Sequence, residues 1–202
     1  MGGGERIEYL AKAVRYHRDL YYNHSAPEIT DAEFDALWDE LKELDPDNEV
    51  LHQVGPEPLP GTVKVEHLFP MRSLDKGTSG EDITHFVLQS TFGGNRYLAQ
   101  PKLDGSALSL EYISGNLHRA ATRGSGERGE DVTLNAKLVA NVPLRLAIDI
   151  DCHVRGEVVM PLTVFEKKYK DVSPNPRNLC SGALRQKHGD GKADASDLVS
   201  TN

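Results

Sequence analysis

The chain of 202 residues is long enough for one domain of ordinary size, or for a small module ahead of a larger one. Hydrophobic residues make up 38% of it and charged residues 27%, which is typical of a globular protein and excludes a wholly disordered one. Its 31 acidic and 23 basic side chains give a net charge of −8, which argues against tight DNA binding by this chain alone, because DNA phosphates require positive charge.

The sequence also argues against membrane and secretory classes. No stretch approaches 18 consecutive apolar residues, and residues 1–6 have no apolar segment behind a basic end, so we expect no membrane span and a cytoplasmic location. Cys152 and Cys180 lie far apart in the sequence, so we expect two reduced thiols rather than a disulfide or a zinc site. No metal-ligand pattern is predicted.

Two amphipathic helices are predicted near the start of the chain. Between Arg6 and Tyr22, apolar residues recur at intervals of three and four, which places them on one helical face. A second helix is expected to begin at Thr30, because Thr30 and Glu33 have the spacing of a capping box, and to end at Pro46. The pair predicts a helical hairpin of roughly 40 residues.

A stretch rich in proline and glycine, residues 55–61, predicts a linker after the hairpin. We place the domain boundary within it, so that residues 1–58 form a helical module and residues 59–202 form a second domain. The last residues, 187–202, are polar and leave little strand to close a β-rich core, so we expect this second domain to be incomplete at its C-terminal end.

Beyond the linker the hydrophobic pattern becomes that of strands. Residues 97–102 are apolar and predicted to be extended, and residues 108–122 predict a β-hairpin whose turn is at residues 114–116. A further strand is predicted around residues 154–160, and a helix over residues 163–169.

The motif Lys102-Leu103-Asp104-Gly105 is the central chemical signal. Side chains alternate along a strand, so Lys102 and Asp104 are expected on one side, while Gly105 allows a backbone or a phosphate to approach closely. A lysine amine must be neutral to attack phosphorus, which burial or a nearby cation such as Mg²⁺ favours. The alternative is an ordinary surface ion pair.

Two further segments strengthen the chemical interpretation. The glycine-dense residues 121–131 carry Arg123, and their backbone N–H groups could meet phosphate or ribose, although a charged loop without a role is the alternative. Glu157 lies in an otherwise largely apolar strand, and a buried carboxylate needs a partner. Ribose or a metal would serve, as would a structural salt bridge with Arg155 or Arg185.

The segment Asn175–Gln186 supplies Arg177 and Arg185, which suit phosphate, with a solvated basic face as the alternative.

The order of these motifs resembles the N-terminal region of bacterial-type NAD-dependent DNA ligases from about Glu5 to Gln186. The segments that carry the resemblance are Tyr21-Tyr22, Ala26 to Asp35, His67 to Asp75, the Lys102 motif, the Arg123 loop, the Glu157 strand and Asn175–Gln186. The resemblance implies an α+β protein, in which a helical NMN-binding module precedes a nucleotidyltransferase (adenylation) domain with antiparallel sheets.

The resemblance also implies a role for each matching position. Lys102 is implied to be the nucleophile that becomes adenylated, and Asp104 is implied to help place the lysine and Mg²⁺. The residues implied to hold the NMN half of NAD are Tyr21, Tyr22, Asp31, Ala32, Glu33, Phe34 and Asp35. Those implied to contact the AMP half are Ser73, Leu74, Gln100, Arg123 and Glu157. Arg177 and Arg185 are implied to meet phosphate, of the nucleotide or of DNA.

The implied reaction transfers AMP from NAD to Lys102 and releases NMN; in a complete ligase AMP then passes to the 5′-phosphate of nicked double-stranded DNA. Two positions depart from the family pattern: Gln100 stands where Glu is usual, and Phe34 where Tyr is usual. We expect no nick sealing by this chain alone, and a remnant that only binds NAD or NMN is the alternative. An ATP-dependent ligase or capping enzyme is disfavoured by the N-terminal hairpin.

Overall fold

The computed structural model describes residues 3–21, 27–53, 62–89, 97–186 and 192–201. Within these ranges the helices are α1 (Gly3–Asp19), α2 (Asp31–Leu44), α3 (Glu49–His52), α4 (Gly80–Gln89), α5 (Thr133–Ala136), α6 (Leu162–Lys168) and α7 (Pro176–Arg185), with a 3-10 helix at Ala195–Asp197. The strands are β1 (Lys64–Glu66), β2 (Ser106–Ile113), β3 (Asn116–Thr122), β4 (Arg128–Glu130), β5 (Cys152–Val159) and β6 (Val199–Thr201).

The first three helices form a small module with its own core. Leu10 and Val14 of α1 are fully buried with Leu41 of α2 and Val50 of α3, as the apolar spacing of both long helices predicts. Arg18 is also buried, because its guanidinium donates to the carbonyl oxygens of Val50 (2.9 Å) and Gln53 (3.0 Å) at the end of α3. The predicted helical hairpin is confirmed.

The rest of the described chain is built on antiparallel sheets. A four-stranded sheet has the order β3-β2-β5-β6, and β1 pairs with β4 in a two-stranded sheet. Helix α7 packs on the larger sheet, where Leu179, Cys180 and Leu184 join Leu108 and Leu110 in a second core. The α+β class and the antiparallel sheets are therefore confirmed.

The predicted β-hairpin is confirmed as β2 and β3, but one predicted strand is wrong. Ser114 (φ 48°) and Gly115 (φ 74°) make the tight turn of the hairpin with left-handed backbone angles. Residues 97–104, in contrast, form no strand, and β2 begins only at Ser106. The apolar residues 97–98 that suggested a strand are exposed rather than paired in a sheet.

The predicted boundary between residues 58 and 59 lies outside the described residues and stays a prediction. None of the helices in the described part of the chain is long and apolar enough to cross a membrane.

Candidate functional site

A cleft of about 790 Å³ lies between the helical module and the segment that leads from β1 to α4. Six of the residues proposed from the sequence line it, four from the helical module and two from the second part: Tyr21, Asp31, Phe34, Asp35, Ser73 and Arg123. The residues proposed for the two halves of the dinucleotide therefore share one cavity, although more than 30 residues separate Asp35 from Ser73 in the sequence.

The walls of the cleft combine aromatic rings with charges of both signs. Phe34 and Trp38 lie on one face of α2 with ring centroids 6.3 Å apart, and the Arg18 guanidinium lies 5.1 Å from the Trp38 centroid. The carboxylates on the lining are Glu28, Asp31, Asp35, Asp39 and Asp82, and the basic residues are His17, Arg18, Lys42, His52, Lys76 and Arg123. Such a surface suits a ligand that carries a cationic ring and an anionic phosphate.

The glycine loop between β3 and β4 holds Arg123 against the cleft. Gly124 (φ 54°) and Gly126 (φ 93°) adopt left-handed angles that favour glycine. The loop also holds the preceding segment, because the N–H groups of His67 and Met71 each donate to a loop carbonyl at 2.8 Å. These two bonds place the chain just before Ser73 beside Arg123.

The Lys102 motif is fixed at Gly105. The Gly105 N–H donates to Oε1 of Glu157 at 3.1 Å, which ties the motif to β5. A side chain at this position would collide with β5, because an added Cβ would lie 2.1 Å from the Val158 carbonyl oxygen. Lys102 itself is exposed two residues before Asp104.

The pKa values of Glu157 and Asp104 are both affected by burial and by the charge of Lys102. Burial raises the pKa of Glu157, whereas the Gly105 N–H and the positive charges of Lys102 and Arg123 act in the opposite direction. Partial burial raises the pKa of Asp104, Lys102 opposes this, and the carboxylate of Asp31 reinforces it. The effect of Asp31 on the pKa of Asp104 shows that a residue proposed to hold NMN lies near the lysine motif.

Glu157 does not make either salt bridge that was considered for it. Arg155 donates to the Phe69 carbonyl oxygen at 2.8 Å, and Arg185 pairs with the buried carboxylate of Glu130 at 2.9 Å. The structural alternative for Glu157 was therefore wrong, and its described partner is the Gly105 N–H.

Arg177 lies at the junction of the cleft and the lysine motif. Its Nε atom is 2.7 Å from Oδ1 of Asp104 and donates to the Gly105 carbonyl oxygen at 3.0 Å. Its guanidinium carbon lies 4.2 Å from the centroid of the Tyr21 ring. The ion-pair partner of Asp104 is thus Arg177 rather than Lys102.

The remaining proposed residues are more scattered. Tyr22 lies outside the described residues, and Ala32, Leu74 and Gln100 are exposed and do not line the cleft. Glu33 caps its own helix, because its carboxylate accepts from the N–H and hydroxyl of Thr30, both at 2.8 Å. The roles proposed for these positions, and for Arg185 as a phosphate ligand, stay predictions.

Several residues on the lining of the cleft were not proposed from the sequence, and Trp38 and Lys76 are the two with the clearest contacts. Trp38 lies within the second amphipathic helix that the sequence predicts, and a helical apolar spacing does not distinguish a ring in a core from a ring in a cleft. Lys76 was not singled out, yet its ammonium lies 2.9 Å from Oδ2 of Asp35 and joins the two sides of the cleft. Its closeness to the Ser73-Leu74 motif was the available signal.

The chain matches two family models. Residues 61–196 match the "NAD-dependent DNA ligase adenylation domain", and residues 3–53 match the "DNA ligase-like, N-terminal NAD+-binding domain". The chain belongs to the family of NAD-dependent DNA ligase adenylation domains.

Curated relatives of this family agree with the match. The chain is 42% identical over 200 residues to a protein of Brevibacillus brevis named DNA ligase, and the alignment covers 90% of this chain. It is 37% identical over 199 residues to a DNA ligase of Treponema denticola, with 94% of this chain covered. In both cases it spans 30% of the length of the relative.

The ligase family implies Mg²⁺, and the side chains near Lys102 fit this ion in part. Among the residues that the structure describes, no group of three or more His, Cys, Asp or Glu side chains could hold a metal ion. Mg²⁺ commonly binds through one or two carboxylates together with substrate phosphates, and Asp104 and Glu157 offer two carboxylates beside Lys102. The residues therefore fit a cation that arrives with a nucleotide, but not a preformed protein cage.

Proposed function

We propose that this chain is the adenylation portion of an NAD-dependent DNA ligase, which transfers AMP from NAD to Lys102. The observation that carries the proposal is the single cleft shared by residues that suit the two halves of NAD. Its helical wall suits NMN and its other wall suits AMP: Tyr21, Asp31, Phe34 and Asp35 on the first, Ser73 and Arg123 on the second.

The helical wall supplies the groups that distinguish NMN from a simple pyrophosphate. Aromatic faces at Tyr21 and Phe34 attract the cationic nicotinamide ring, and the carboxylates of Asp31 and Asp35 accept hydrogen bonds from ribose hydroxyls. In the same proposal Arg123 faces the nucleotide phosphates as a fixed charge, and Glu157 accepts from the ribose of AMP.

The proposed step exchanges one bond for another at phosphorus. The neutral Nζ of Lys102 attacks the AMP phosphorus, a P–N bond forms, and the P–O bond to NMN breaks. NMN leaves with the bonding electron pair, and the proton lost by the amine passes to water, to which Lys102 is exposed. The protein contributes mainly by positioning the reactants and neutralising charge.

The proposal includes Mg²⁺, which Asp104 and Glu157 would hold together with the phosphates of NAD. When bound, the ion would supply positive charge to the phosphates during transfer. The proposal also includes nicked double-stranded DNA as the partner of the complete enzyme, and a cytoplasmic location.

The direct test is incubation of the chain with Mg²⁺ and NAD labelled in its adenylate, followed by mass spectrometry of the protein. We expect one adenylyl group on Lys102, none in Lys102→Ala, and normal labelling in Lys137→Ala, which removes an exposed lysine elsewhere. Labelling by ATP as efficient as by NAD would contradict the choice of nucleotide.

The alternative function, binding of NAD or NMN without transfer, is favoured by one observation: Lys102 does not line the cleft. A titration of NMN followed by the fluorescence of Trp38, the single tryptophan, separates the two functions. Saturable binding that is lost in Asp35→Ala, without any labelling of Lys102, would support a binding module.

A further inference from the structure

Arg177 is the second residue of α7, and its side chain contacts three residues that belong to two other segments of the chain. The guanidinium covers the Tyr21 ring at 4.2 Å, while Nε meets Oδ1 of Asp104 at 2.7 Å and the carbonyl oxygen of Gly105 at 3.0 Å. Tyr21 lies just beyond α1, in the helical module, whereas Asp104 and Gly105 belong to the Lys102 motif. One side chain therefore touches both parts of the candidate site.

The two ends of the ion pair differ in exposure. The Arg177 side chain is 15% exposed, whereas that of Asp104 is 73% exposed. Burial lowers the pKa of Arg177, which means that its charge is costly to bury. The Tyr21 ring, 4.2 Å from the guanidinium carbon, and the Asp104 carboxylate, 2.7 Å from Nε, are both placed to stabilise that charge. A largely buried arginine with these contacts has a defined orientation, whereas an exposed arginine without partners would be free to bind phosphate.

The geometry requires the flat shape of a guanidinium. The guanidinium carbon lies over the Tyr21 ring while the Nε–H donates to the Gly105 carbonyl oxygen and Nε lies 2.7 Å from Oδ1 of Asp104, so the cation–π contact and the polar contacts occur at the same time. A lysine ammonium is a compact point charge and cannot satisfy both contacts from one position.

We propose that Arg177 is a positioning residue, which holds the Tyr21 side of the cleft at a fixed position (the register) relative to the Lys102 motif. The inference rests on the proposed function, because the purpose of that register is to place the phosphorus of a dinucleotide opposite Lys102. Arg177 acts through Tyr21, Asp104 and Gly105, and its charge is already matched within the protein.

The proposal is tested on the full chain by single-turnover adenylation of Lys102 over a range of NAD concentrations, with Arg177→Lys and Arg177→Gln. We expect the rate at saturating NAD to fall roughly 10- to 100-fold in both variants, because misplaced reactants lose rate. The half-saturating NAD concentration should change by less than about threefold, because every side chain proposed to contact NMN is still present in both variants.

The matched control is Gly182→Ala on the same helix, where an added Cβ has no neighbour within 4 Å. This variant should adenylate at the wild-type rate. Arg177→Lys within about threefold of wild type would overturn the proposal, since charge alone would then suffice. A parallel rise of the half-saturating concentration would also overturn it, since Arg177 would then be a ligand of the nucleotide.

A second measurement does not depend on adenylation. Hydrogen exchange of the amides at residues 17–21 should be about two- to fivefold faster in Arg177→Gln than in wild type, because Tyr21 loses its cation–π partner. Gly182→Ala should exchange as wild type does. If wild type is never adenylated, the proposed function fails and this measurement still decides the register; unchanged exchange would overturn the positioning role.

Discussion

At the scale of single residues, Glu157 is a partly buried carboxylate that is proposed to accept from the ribose of AMP. It lies in β5 opposite Ala107 of β2, and its described hydrogen-bond donor is the Gly105 N–H. Burial raises its pKa above the ordinary value, so the ionised form is disfavoured in the folded protein. A carboxylate whose burial lowers the stability of the fold is expected at a site where it contacts a ligand.

Glu157→Gln should therefore increase stability at neutral pH. A carboxyl group whose pKa is raised by folding binds protons more tightly in the folded state, so the wild type loses stability as pH rises through that raised pKa. Gln keeps the oxygen that accepts from Gly105 but carries no charge. The urea midpoint of the variant should exceed that of wild type at pH 7.5, and the two should converge below the ordinary pKa, near pH 4.

The same variant should adenylate Lys102 roughly 10- to 100-fold more slowly, because a charge-assisted hydrogen bond to ribose is weakened. Glu166→Gln, which changes an exposed carboxylate on α6, should leave both the midpoint and the rate unchanged. A variant that is less stable than wild type at pH 7.5 would contradict the conclusion that partial burial of the Glu157 carboxylate destabilises the folded protein.

Individual site residues were predictable when they were part of a motif, and less so when they acted through partners. Lys102, Gly105 and Arg123 could be proposed as site residues because they stand in glycine-bearing motifs. Glycine in such motifs indicates a close backbone approach or a left-handed turn. Arg177 was predicted only to meet phosphate. The sequence around it does not indicate its contacts with Tyr21 and Asp104, because these residues lie more than 70 positions away from it.

At the scale of elements, the start of α2 is determined by a reciprocal cap. The Thr30 hydroxyl accepts from the Glu33 N–H at 3.3 Å, and the Glu33 carboxylate accepts from the Thr30 N–H at 2.8 Å. The Thr30 backbone N–H and then its hydroxyl lower the pKa of Glu33. The first five residues of α2 include Asp31, Phe34 and Asp35, so the cap also orders the helical wall of the cleft.

Thr30→Ala should lower the free energy of unfolding of the helical module by about 1 kcal/mol, the usual cost of losing a side-chain cap. Urea unfolding followed by Trp38 fluorescence reports on this module, because the single tryptophan belongs to α2. Thr30→Ser keeps the hydroxyl and should unfold near the wild-type midpoint. An unchanged midpoint in Thr30→Ala would mean that the cap contributes nothing measurable.

Elements with strong local signals were predictable, and those defined by partners were not. The cap, the apolar stripe of α1 and the turn at Ser114-Gly115 each depend on neighbouring residues, and all were found. Residues 97–102 have the composition of a strand, but a strand exists only when another strand pairs with it, and composition carries no information about pairing. For the same reason, the short strand β1 and its pairing with β4 went unpredicted.

At the scale of the whole molecule, acidic side chains outnumber basic ones, and several basic side chains near the candidate site are already paired with carboxylates. The chain carries a net charge of −8, and both arginines of α7 have carboxylate partners: Arg177 is paired with Asp104 and Arg185 with Glu130. Lys76 at the cleft is paired with Asp35. DNA affinity comes mainly from cations that replace counterions on phosphates, so cations already paired with carboxylates contribute little to it.

The chain alone should therefore bind a nicked duplex only weakly, with a Kd above about 100 µM at 0.15 M salt, at or beyond the weak end of ordinary non-specific DNA binding. Anisotropy of a labelled nicked duplex, measured from 0.05 to 0.15 M salt with an intact duplex as control, checks this. The expected salt dependence is shallow, because few phosphates are neutralised. A Kd below about 1 µM with a steep salt dependence would mean that Arg177 and Arg185 exchange their carboxylate partners for phosphates, and the charge argument would then be wrong.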